Sequence, residues 1–326
     1  MQRGTDIERA AAVLRDGGLV AFPTETVYGL GADATSAAAV GRIFAAKRRP
    51  AAHPLIVHLA AGAELGDWAA LVPGPAERLA AAFWPGPLTM ILRRGARVAP
   101  AATGGAETVG LRVPDHPLAQ ALLRAFGGAV AAPSANRFGR VSPTTADHVA
   151  ADLGGDIDYL VDGGACPVGV ESTIVDLSGP APVLLRPGGV PRAAIEAALG
   201  RPLAAPGPVA TPAPGTLPSH YAPRARVVAV EPAALAAAVA AAHGRIAVLA
   251  PAGLLAAIEL PAGAVAAAVP DDAAGAARDL YAALRDLDAS GVDTIVAALP
   301  PAEGLGEAVA DRLRRAGGPR GEDDHE

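Results

Sequence analysis

The sequence predicts an α/β protein with two domains: a larger N-terminal domain with a twisted mixed sheet and flanking helices, and a smaller C-terminal α/β domain. The chain has 326 residues, which is too long for one ordinary domain. Strand-like and helix-like segments follow one another without strict alternation, which favours a mixed sheet with helices packed against it. A stretch rich in Pro, Ala and Gly separates the two halves. We therefore expect domains at 1–203 and 225–316, a Pro-rich linker at 204–224 and a disordered tail at 317–326.

The helices and strands of the N-terminal domain are predicted from the spacing of apolar residues and from the Gly and Pro residues that end each apolar stretch. Gly17-Gly18 ends the first helix, Pro50 ends the second, and Trp84-Pro85-Gly86-Pro87 forms a rigid turn before a strand. Short apolar runs between such residues indicate strands. The predicted helices are 6–15, 36–47, 75–83, 117–126, 144–153 and 191–199, and the predicted strands are 19–22, 55–59, 88–92, 108–113, 129–132, 158–161, 172–176 and 183–185.

The C-terminal domain repeats the alternation of strand and helix. Strands are predicted at 226–230, 245–249 and 294–298, with helices at 232–242 and 273–287. This order predicts a small parallel sheet of Rossmann-like type. Because no GxGxxG follows its first strand, nothing in the sequence supports a dinucleotide site there.

Composition excludes several classes of protein. An apolar fraction of 51% with 18% charged residues is typical of a globular chain, and the net charge of −6 argues against a generally basic nucleic-acid surface. Cys166 is the only cysteine, which excludes an internal disulfide and a cysteine-based zinc site and suits a reducing cytosol. The N-terminus has no signal-peptide core, and the longest apolar run, 233–242, is too short to span a bilayer. We expect a cytoplasmic protein.

Lys47 is the only lysine of the chain, so the other 26 basic residues are arginine, and Asn136 is the only asparagine. In a chain so rich in Arg, Ala, Gly and Pro, we expect a lysine or an asparagine to remain where the residue that usually replaces it cannot do the same chemistry. A compact ammonium that must reach one oxygen is such a case. The structural alternative is that Lys47, Arg48 and Arg49 simply complement the dipole at a helix C-terminus.

Polar side chains follow several predicted strands. PTETVYGLG, residues 23–31, comes directly after a buried strand, which indicates ligand contacts, although a hydrogen-bonded turn would look the same. Further along lie four arginines and three of the seven serines. Cations that converge with hydroxyls form a polyphosphate site without a covalent intermediate. The set is Lys47, Arg49, Arg112, Arg140 and Arg186 with Ser134, Asn136, Ser142 and Ser172. The sequence contains no P-loop, HExxH, CxxC or GxSxG motif and no histidine spacing typical of a metal site.

Nine motifs occur in an order that resembles the YrdC-like family of threonylcarbamoyl-AMP synthases. They are PTETVYGLG, KRRPAAHPL, WPGPLT, LRVPDHP, APSAN, VSPTTADHV, GVESTIVDL, LLRPGG and the linker ending SHYAP. The resemblance covers the chain to about residue 315 and indicates the two-domain form with a YrdC-like N-terminal domain. It implies a nucleotidyltransferase that makes threonylcarbamoyl-adenylate and pyrophosphate from L-threonine, bicarbonate and ATP, with Mg²⁺ bound to the ATP. Other proteins would then transfer the threonylcarbamoyl group to tRNA, and direct tRNA binding is not required.

The resemblance also implies residue roles. The catalytic residues would be Lys47, Arg49, Ser134 and Asn136. ATP contacts would come from Lys47, Arg49, Thr108, Ser134, Arg140, Ser142, Arg186 and Tyr221. Threonine would be bound by Thr24, Thr26, His53, Arg112, Ala132 and Ser172, with Arg112 clamping its carboxylate. His220 and Tyr221 would form a lid over a labile adenylate. No protein metal ligand is expected.

Two other functions stay open at the level of the sequence. One is an RNA-binding module of the same fold without turnover, against which the acidic net charge argues. The other is a carbamoyl transferase of metalloenzyme maturation. That function would require zinc-finger and acylphosphatase-like segments, which the sequence does not contain.

Overall fold

The structure, a computed structural model, describes residues 1–207 and 211–319. It divides into two compact units. The N-terminal unit comprises Met1–Phe138 and Ser142–Thr216, and the C-terminal unit comprises Gly139–Val141 and Leu217–Glu326. Of the predicted tail, residues 320–326 lie outside the described residues, as do residues 208–210 of the predicted linker.

The N-terminal unit contains every helix and strand predicted for it, with bounds that differ by at most two residues at either end. The strands are β1 (Gln2–Gly4), β2 (Val20–Phe22), β3 (Gly29–Asp33), β4 (Ile56–His58), β5 (Ala69–Leu71), β6 (Leu88–Arg94), β7 (Thr108–Arg112), β8 (Val130–Ala131), β9 (Tyr159–Val161), β10 (Thr173–Asp176) and β11 (Val183–Arg186). The helices are α1 (Ile7–Arg15), α2 (Ala37–Lys47), α3 (Gly74–Phe83), α4 (Pro117–Phe126), α5 (Ala146–Leu153) and α6 (Arg192–Leu199). Strands β1, β3 and β5 were not predicted.

These eleven strands form one mixed sheet in the order β1-β9-β2-β3-β8-β4-β7-β6-β10-β11, with β5 beside β6. The pairs β1/β9, β2/β9, β4/β7 and β6/β10 are parallel. The pairs β2/β3, β3/β8, β4/β8, β6/β7, β5/β6 and β10/β11 are antiparallel. The prediction of a mixed sheet with flanking helices is confirmed. Apolar residues of the sheet and of the helices form its core.

Strand β3 escaped prediction because two of its residues are glycines, which are unusual in strands. It pairs with β2 as a hairpin, so residues 23–28 form the connecting loop. A Cβ on Gly31 would lie 2.7 Å from Val130 Cγ1 and 2.8 Å from Phe22 Cε1. Only glycine fits this close approach of neighbouring strands. The hairpin holds the polar loop at the end of a buried strand.

Helix α2 positions Lys47 at its last turn. The Ser36 side chain accepts a hydrogen bond from Ala39 N–H and caps the helix N-terminus. Arg48 ends the helix in the left-handed conformation, with φ of 52°. The placement of Lys47 at a helix C-terminus is therefore as predicted.

The C-terminal unit has a four-stranded parallel sheet in the order β12-β15-β13-β14, which confirms the small parallel sheet. Its strands are β12 (Arg226–Val230), β13 (Ile246–Pro251), β14 (Val265–Val269) and β15 (Thr294–Ala298), and its helices are α7 (Leu235–Ala241), α8 (Ala252–Ala256), α9 (Ala273–Ala289) and α10 (Gly306–Ala316). Strand β14 and helices α8 and α10 were not predicted. The sequence of β14, VAAAV, is rich in alanine, a helix former, and becomes a strand by pairing with β13.

Two residues of the Pro-rich segment, Ala213 and Pro214, contact the sheet of the N-terminal unit. Ala213 is buried with Ile56, Ile91, Ile174 and Leu185 of the sheet. The carbonyl of Pro214 accepts a hydrogen bond from the Arg186 side chain at 2.9 Å. No helix among the described residues is long and apolar enough to cross a membrane.

Candidate active site

Lys47 is buried, with a residue exposure of 2%, and reaches the loop that follows β8. Its ammonium Nζ donates to the carbonyl oxygen of Ser134 at 2.5 Å and to that of Asn136. Burial, reinforced by the nearby charges of Arg49 and Arg137, holds the pKa of Lys47 well below its usual value of 10.5. The ammonium, Ser134 and the only asparagine are thus brought together, as the sequence predicted.

Arg49 and His53 lie beside the same loop. The Arg49 guanidinium donates to Pro54 O at 3.0 Å and sits 5.3 Å from the centre of the Phe138 ring. The His53 ring packs edge-on against Phe138, with ring centres 5.2 Å apart. Partial burial and the charge of Arg49 lower the pKa of His53 below 6.5, so the ring is neutral at pH 7.

Arg112, at the end of β7, is buried against the polar loop 23–28. Its Nη2 donates to Thr26 Oγ1 at 3.0 Å and lies 2.8 Å from Glu25 Oε1. Thr24 and Thr26 are also buried, and their hydroxyl oxygens are 2.8 Å apart. The structure therefore brings Thr24, Thr26 and Arg112 together, with Glu25 among them.

Ser172, just before β10, and Arg186, at the end of β11, form a second buried group. Arg186 Nη2 donates to Ser172 O at 2.9 Å and to Ser172 Oγ at 3.2 Å. Ser172 Oγ also lies 2.8 Å from Thr89 Oγ1. Thr89 and Thr108 line a small pocket of about 10 Å³, together with Pro54, Leu55, Ile56, Ile91, Gly110, Ile174, Pro212 and Pro214.

Backbone hydrogen bonds tie the loops of these groups together. Tyr28 N donates to Pro143 O at 2.9 Å, and Ala135 N donates to Tyr28 O at 2.8 Å. Val168 N donates to Glu25 O at 2.8 Å. The loop 23–28 therefore contacts both the loop after β8 and the loop before β10, and the predicted site residues on these loops share one region of the sheet.

Two further predicted residues of the N-terminal unit have clear surroundings. Ser142 Oγ donates to Glu171 Oε1 at 2.6 Å, and both residues are buried. Ala132 is buried, and its N–H donates to Ile56 O at 2.8 Å. Its backbone therefore continues the sheet hydrogen bonding at the end of β8.

Arg140, His220 and Tyr221 belong to the C-terminal unit. Arg140 pairs with Ala222 in an isolated parallel bridge. Tyr221 has a left-handed backbone, with φ of 61°, and its ring stacks on Tyr281 with centres 5.8 Å apart. The Arg312 guanidinium lies 4.9 Å from the centre of the Tyr221 ring, and His220 packs edge-on against it at 4.4 Å.

The sequence alone assigned no individual role to Glu25, Thr89, Glu171 or Arg312. Glu25 and Glu171 stand inside motifs that were recognised, PTETVYGLG and GVESTIVDL, so their position was visible but their partners were not. Thr89 ends WPGPLT and carried no separate signal. Arg312 is one of 26 arginines, and nothing in its neighbourhood distinguishes it in the sequence.

No group of three or more His, Cys, Asp or Glu side chains in residues 1–207 and 211–319 could hold a metal ion. The carboxylates of Glu25 and Glu171, both in the candidate site, contact Arg112 and Ser142.

An α/β fold with such a site is suited to an enzyme that binds anionic ligands such as nucleotides. Buried cations and hydroxyls on loops around a mixed sheet offer fixed positive charge to phosphate and carboxylate oxygens.

Comparison with known proteins gives the particular family. Residues 12–188 match the family model Sua5_yciO_yrdC, described as "Telomere recombination", and residues 190–318 match that described as "Threonylcarbamoyl-AMP synthase, C-terminal domain". The chain therefore belongs to the Sua5/YrdC family, in the form that carries this C-terminal domain. The resemblance seen in the motifs is confirmed.

Relatives match over almost the whole chain. A threonylcarbamoyl-AMP synthase of Pyrococcus abyssi (strain GE5 / Orsay) is 43% identical over 321 residues, covering 96% of this chain and 94% of that protein. A threonylcarbamoyl-AMP synthase of Bacillus subtilis (strain 168) is 43% identical over 330 residues, covering 96% and 93%. The crystal structure of P. abyssi Sua5 complexed with L-threonine superposes with a TM-score of 0.90 at 40% identity and covers 97% of each chain.

Proposed function

We propose that this chain is a threonylcarbamoyl-AMP synthase. It makes threonylcarbamoyl-adenylate and pyrophosphate from L-threonine, bicarbonate and ATP. The observation that carries the proposal is the 43% identity with synthases of that name over 96% of the chain. The product would supply threonylcarbamoyl groups to other proteins that modify tRNA in the cytoplasm. Direct binding of tRNA by this chain is not required.

The chemistry requires fixed positive charge more than it requires a nucleophile. The neutral threonine amine attacks bicarbonate, with loss of water, or carbon dioxide, with loss of a proton, to give a carbamate. The carbamate oxygen then attacks the α-phosphorus of ATP while pyrophosphate leaves. Negative charge develops on phosphate and carbamate oxygens, and preorganised cations in a desolvated site stabilise it. The convergence of Lys47 with Ser134 and Asn136 supports this mechanism, because Lys47 is buried and oriented by two carbonyl oxygens.

On the nucleotide side, Lys47, Arg49, Ser134 and Asn136 hold the phosphates and the carbamate. Further ATP contacts come from Thr108, Arg140, Ser142, Arg186 and Tyr221. Thr108 is assigned this role from the resemblance to the family, because the pocket that it lines, of about 10 Å³, has room for about one water molecule and not for a nucleotide. Ser142 supports it through its hydrogen bond to Glu171, which fixes the orientation of its hydroxyl.

On the threonine side, Arg112 binds the carboxylate, and Thr24, Thr26, His53, Ala132 and Ser172 surround the rest of the amino acid. The buried guanidinium of Arg112 is held by Thr26 and Glu25, which fixes the plane it presents to a carboxylate. Mg²⁺ reaches the site as its complex with ATP and is held by phosphate oxygens.

One assay tests the proposal. The protein is incubated with ATP, L-threonine, labelled bicarbonate and Mg²⁺, and pyrophosphate and labelled adenylate are followed together. We expect pyrophosphate release that depends on threonine, on bicarbonate and on Mg²⁺, with a short-lived labelled adenylate. Pyrophosphate release that does not depend on threonine would refute the proposed reaction, as would RNA binding without turnover.

His220 and Tyr221 are proposed to act as a lid that protects the adenylate from water. Their packing with Tyr281 and Arg312 supports a defined rather than a random conformation of the SHYAP segment. The double variant His220→Ala/Tyr221→Ala should release more pyrophosphate per molecule of adenylate that can be trapped. Ser219→Ala is the matched control. An unchanged ratio in the double variant would contradict the lid.

A further inference from the structure

Glu25 is a buried carboxylate that holds Arg112 and to which the proposed function gives no contact with a ligand. It is 5% exposed, and its Oε1 lies 2.8 Å from Arg112 Nη2. Its Oε2 has no hydrogen-bond donor among the described residues, and neither has Arg112 Nε an acceptor there. A buried carboxylate oxygen without a donor is costly, which indicates that a ligand supplies the missing hydrogen bond.

The arrangement of charges identifies the chemistry of that ligand. A guanidinium beside a carboxylate is complementary to a zwitterion, because an α-amino acid carries its own carboxylate and ammonium group on one carbon atom. If a ligand carboxylate binds Arg112, its ammonium group must lie within reach of the same pair. Without Glu25, that ammonium group would face the buried guanidinium and be repelled by it.

We propose that Glu25 binds the α-ammonium group of L-threonine and makes the site selective for amino acids over carboxylic acids that lack the amino group. This inference rests on the proposed function, in which Arg112 binds the threonine carboxylate. The bound state then contains four alternating charges, each next to an opposite one. The buried site would thus gain the amino acid without gaining net charge.

Glu25→Gln separates this role from a structural one, because glutamine keeps the size and removes the charge. Binding of L-threonine and of (R)-3-hydroxybutanoate, which is threonine without its amino group, is measured by titration calorimetry in the absence of ATP. We expect the Kd of threonine to rise about tenfold to hundredfold, which is the range for losing a hydrogen bond to a charged group. The Kd of (R)-3-hydroxybutanoate should stay unchanged or fall, since one negative charge leaves the site.

Matched variants complete the experiment. Glu25→Asp should recover part of the affinity for threonine, and Glu64→Gln, at an exposed glutamate, should bind both ligands as the wild type does. Affinity for threonine that is unchanged in Glu25→Gln would overturn the inference. So would a parallel loss of affinity for both ligands, which is what simple disruption of Arg112 predicts. Failure of the wild type to bind threonine at all would refute the proposed function itself, and the inference with it.

Discussion

The two units of the protein differ in where they bury polar groups. With tyrosine, tryptophan and cysteine counted as apolar, all but two of the buried polar side chains in residues 1–207 and 211–319 lie in the N-terminal unit. The two exceptions, His220 and Arg312, both contact the Tyr221 ring. Elsewhere the core of the C-terminal unit consists of aliphatic side chains on its parallel sheet and helices.

This difference places most of the buried polar groups, and with them most of the candidate site residues, in the N-terminal unit. Each buried polar group costs free energy unless a partner satisfies it. The N-terminal unit buries many polar groups and places several of them on converging loops. The C-terminal unit buries two, His220 and Arg312, both beside the Tyr221 ring. Lys47 and Arg312 show the contrast most clearly. Lys47 donates to two carbonyl oxygens, while Arg312 has a carboxylate partner, Asp311, at 2.6 Å and a ring beneath it.

The largest effect that would test this comparison is expected at Lys47. Lys47→Ala should lose about 2–4 kcal/mol of transition-state stabilisation, or roughly 30- to 1,000-fold in the rate of threonine-dependent pyrophosphate release. Lys47→Arg should not restore activity, because a guanidinium does not fit where a compact ammonium sits 2.5 Å from Ser134 O. Arg42→Ala, at an exposed cation of the same helix, is the control. Turnover at the wild-type rate by Lys47→Ala would remove the catalytic role of the buried cation.

A smaller effect, on stability rather than on chemistry, is expected at Arg312. Arg312→Met removes the ion pair with Asp311 and the contact with the Tyr221 ring, so the free energy of unfolding should fall by about 2–3 kcal/mol. Urea unfolding followed by far-UV circular dichroism measures this loss. Arg278→Met, at an exposed arginine paired with Asp279, should change the same quantity by less than about 1 kcal/mol. Equal losses of unfolding free energy in the two variants would show that the buried contacts of Arg312 stabilise the protein no more than the exposed pair of Arg278 and Asp279 does.

The fold was more predictable than the site because the spacing of apolar residues and the positions of Gly and Pro are visible within a short stretch of sequence. Every helix and strand that the sequence predicted is present. Of the four strands that were not predicted, β1, β3, β5 and β14, two contain glycine or alanine that only tertiary pairing turns into strand, namely β3 and β14. Helix α10 was not predicted, although it is amphipathic and lies within the C-terminal domain expected at 225–316.

The sequence pointed to residues of the candidate site where composition made a residue rare or where the residue stood in a recognised motif. Lys47 and Asn136 stand out because each is the only residue of its type, and the structure joins them through a hydrogen bond. Arg312 could not stand out among 26 arginines, although it is fully buried. Glu25 was visible within its motif, but its partner Arg112 lies 87 residues away in the sequence, and only the fold brings the two charges together.

The smallest expected effect is a loss of stability of the N-terminal unit at acid pH. His58 is buried beside Arg112 in the β4/β7 register and packs edge-on against Phe22. Burial, with the charge of Arg112, lowers its pKa from 6.5 to about 3. The ring is therefore neutral in the folded protein, whereas in the unfolded chain it binds a proton below pH 6.5. The stability it contributes is complete above pH 6.5 and is lost as the pH falls toward 3.

His58→Gln does not titrate, so the wild type should lose about 2 kcal/mol relative to this variant between pH 7.5 and pH 5, at about 1.4 kcal/mol per pH unit below 6.5. The measurement is urea unfolding followed by tryptophan fluorescence. Trp68 and Trp84, the two tryptophans of the chain, both belong to the N-terminal unit, so the signal reports that unit. The exposed His243 of the C-terminal unit gives the matched substitution, His243→Gln. A difference between wild type and His58→Gln that does not change with pH would show that the buried imidazole is not the source of acid sensitivity.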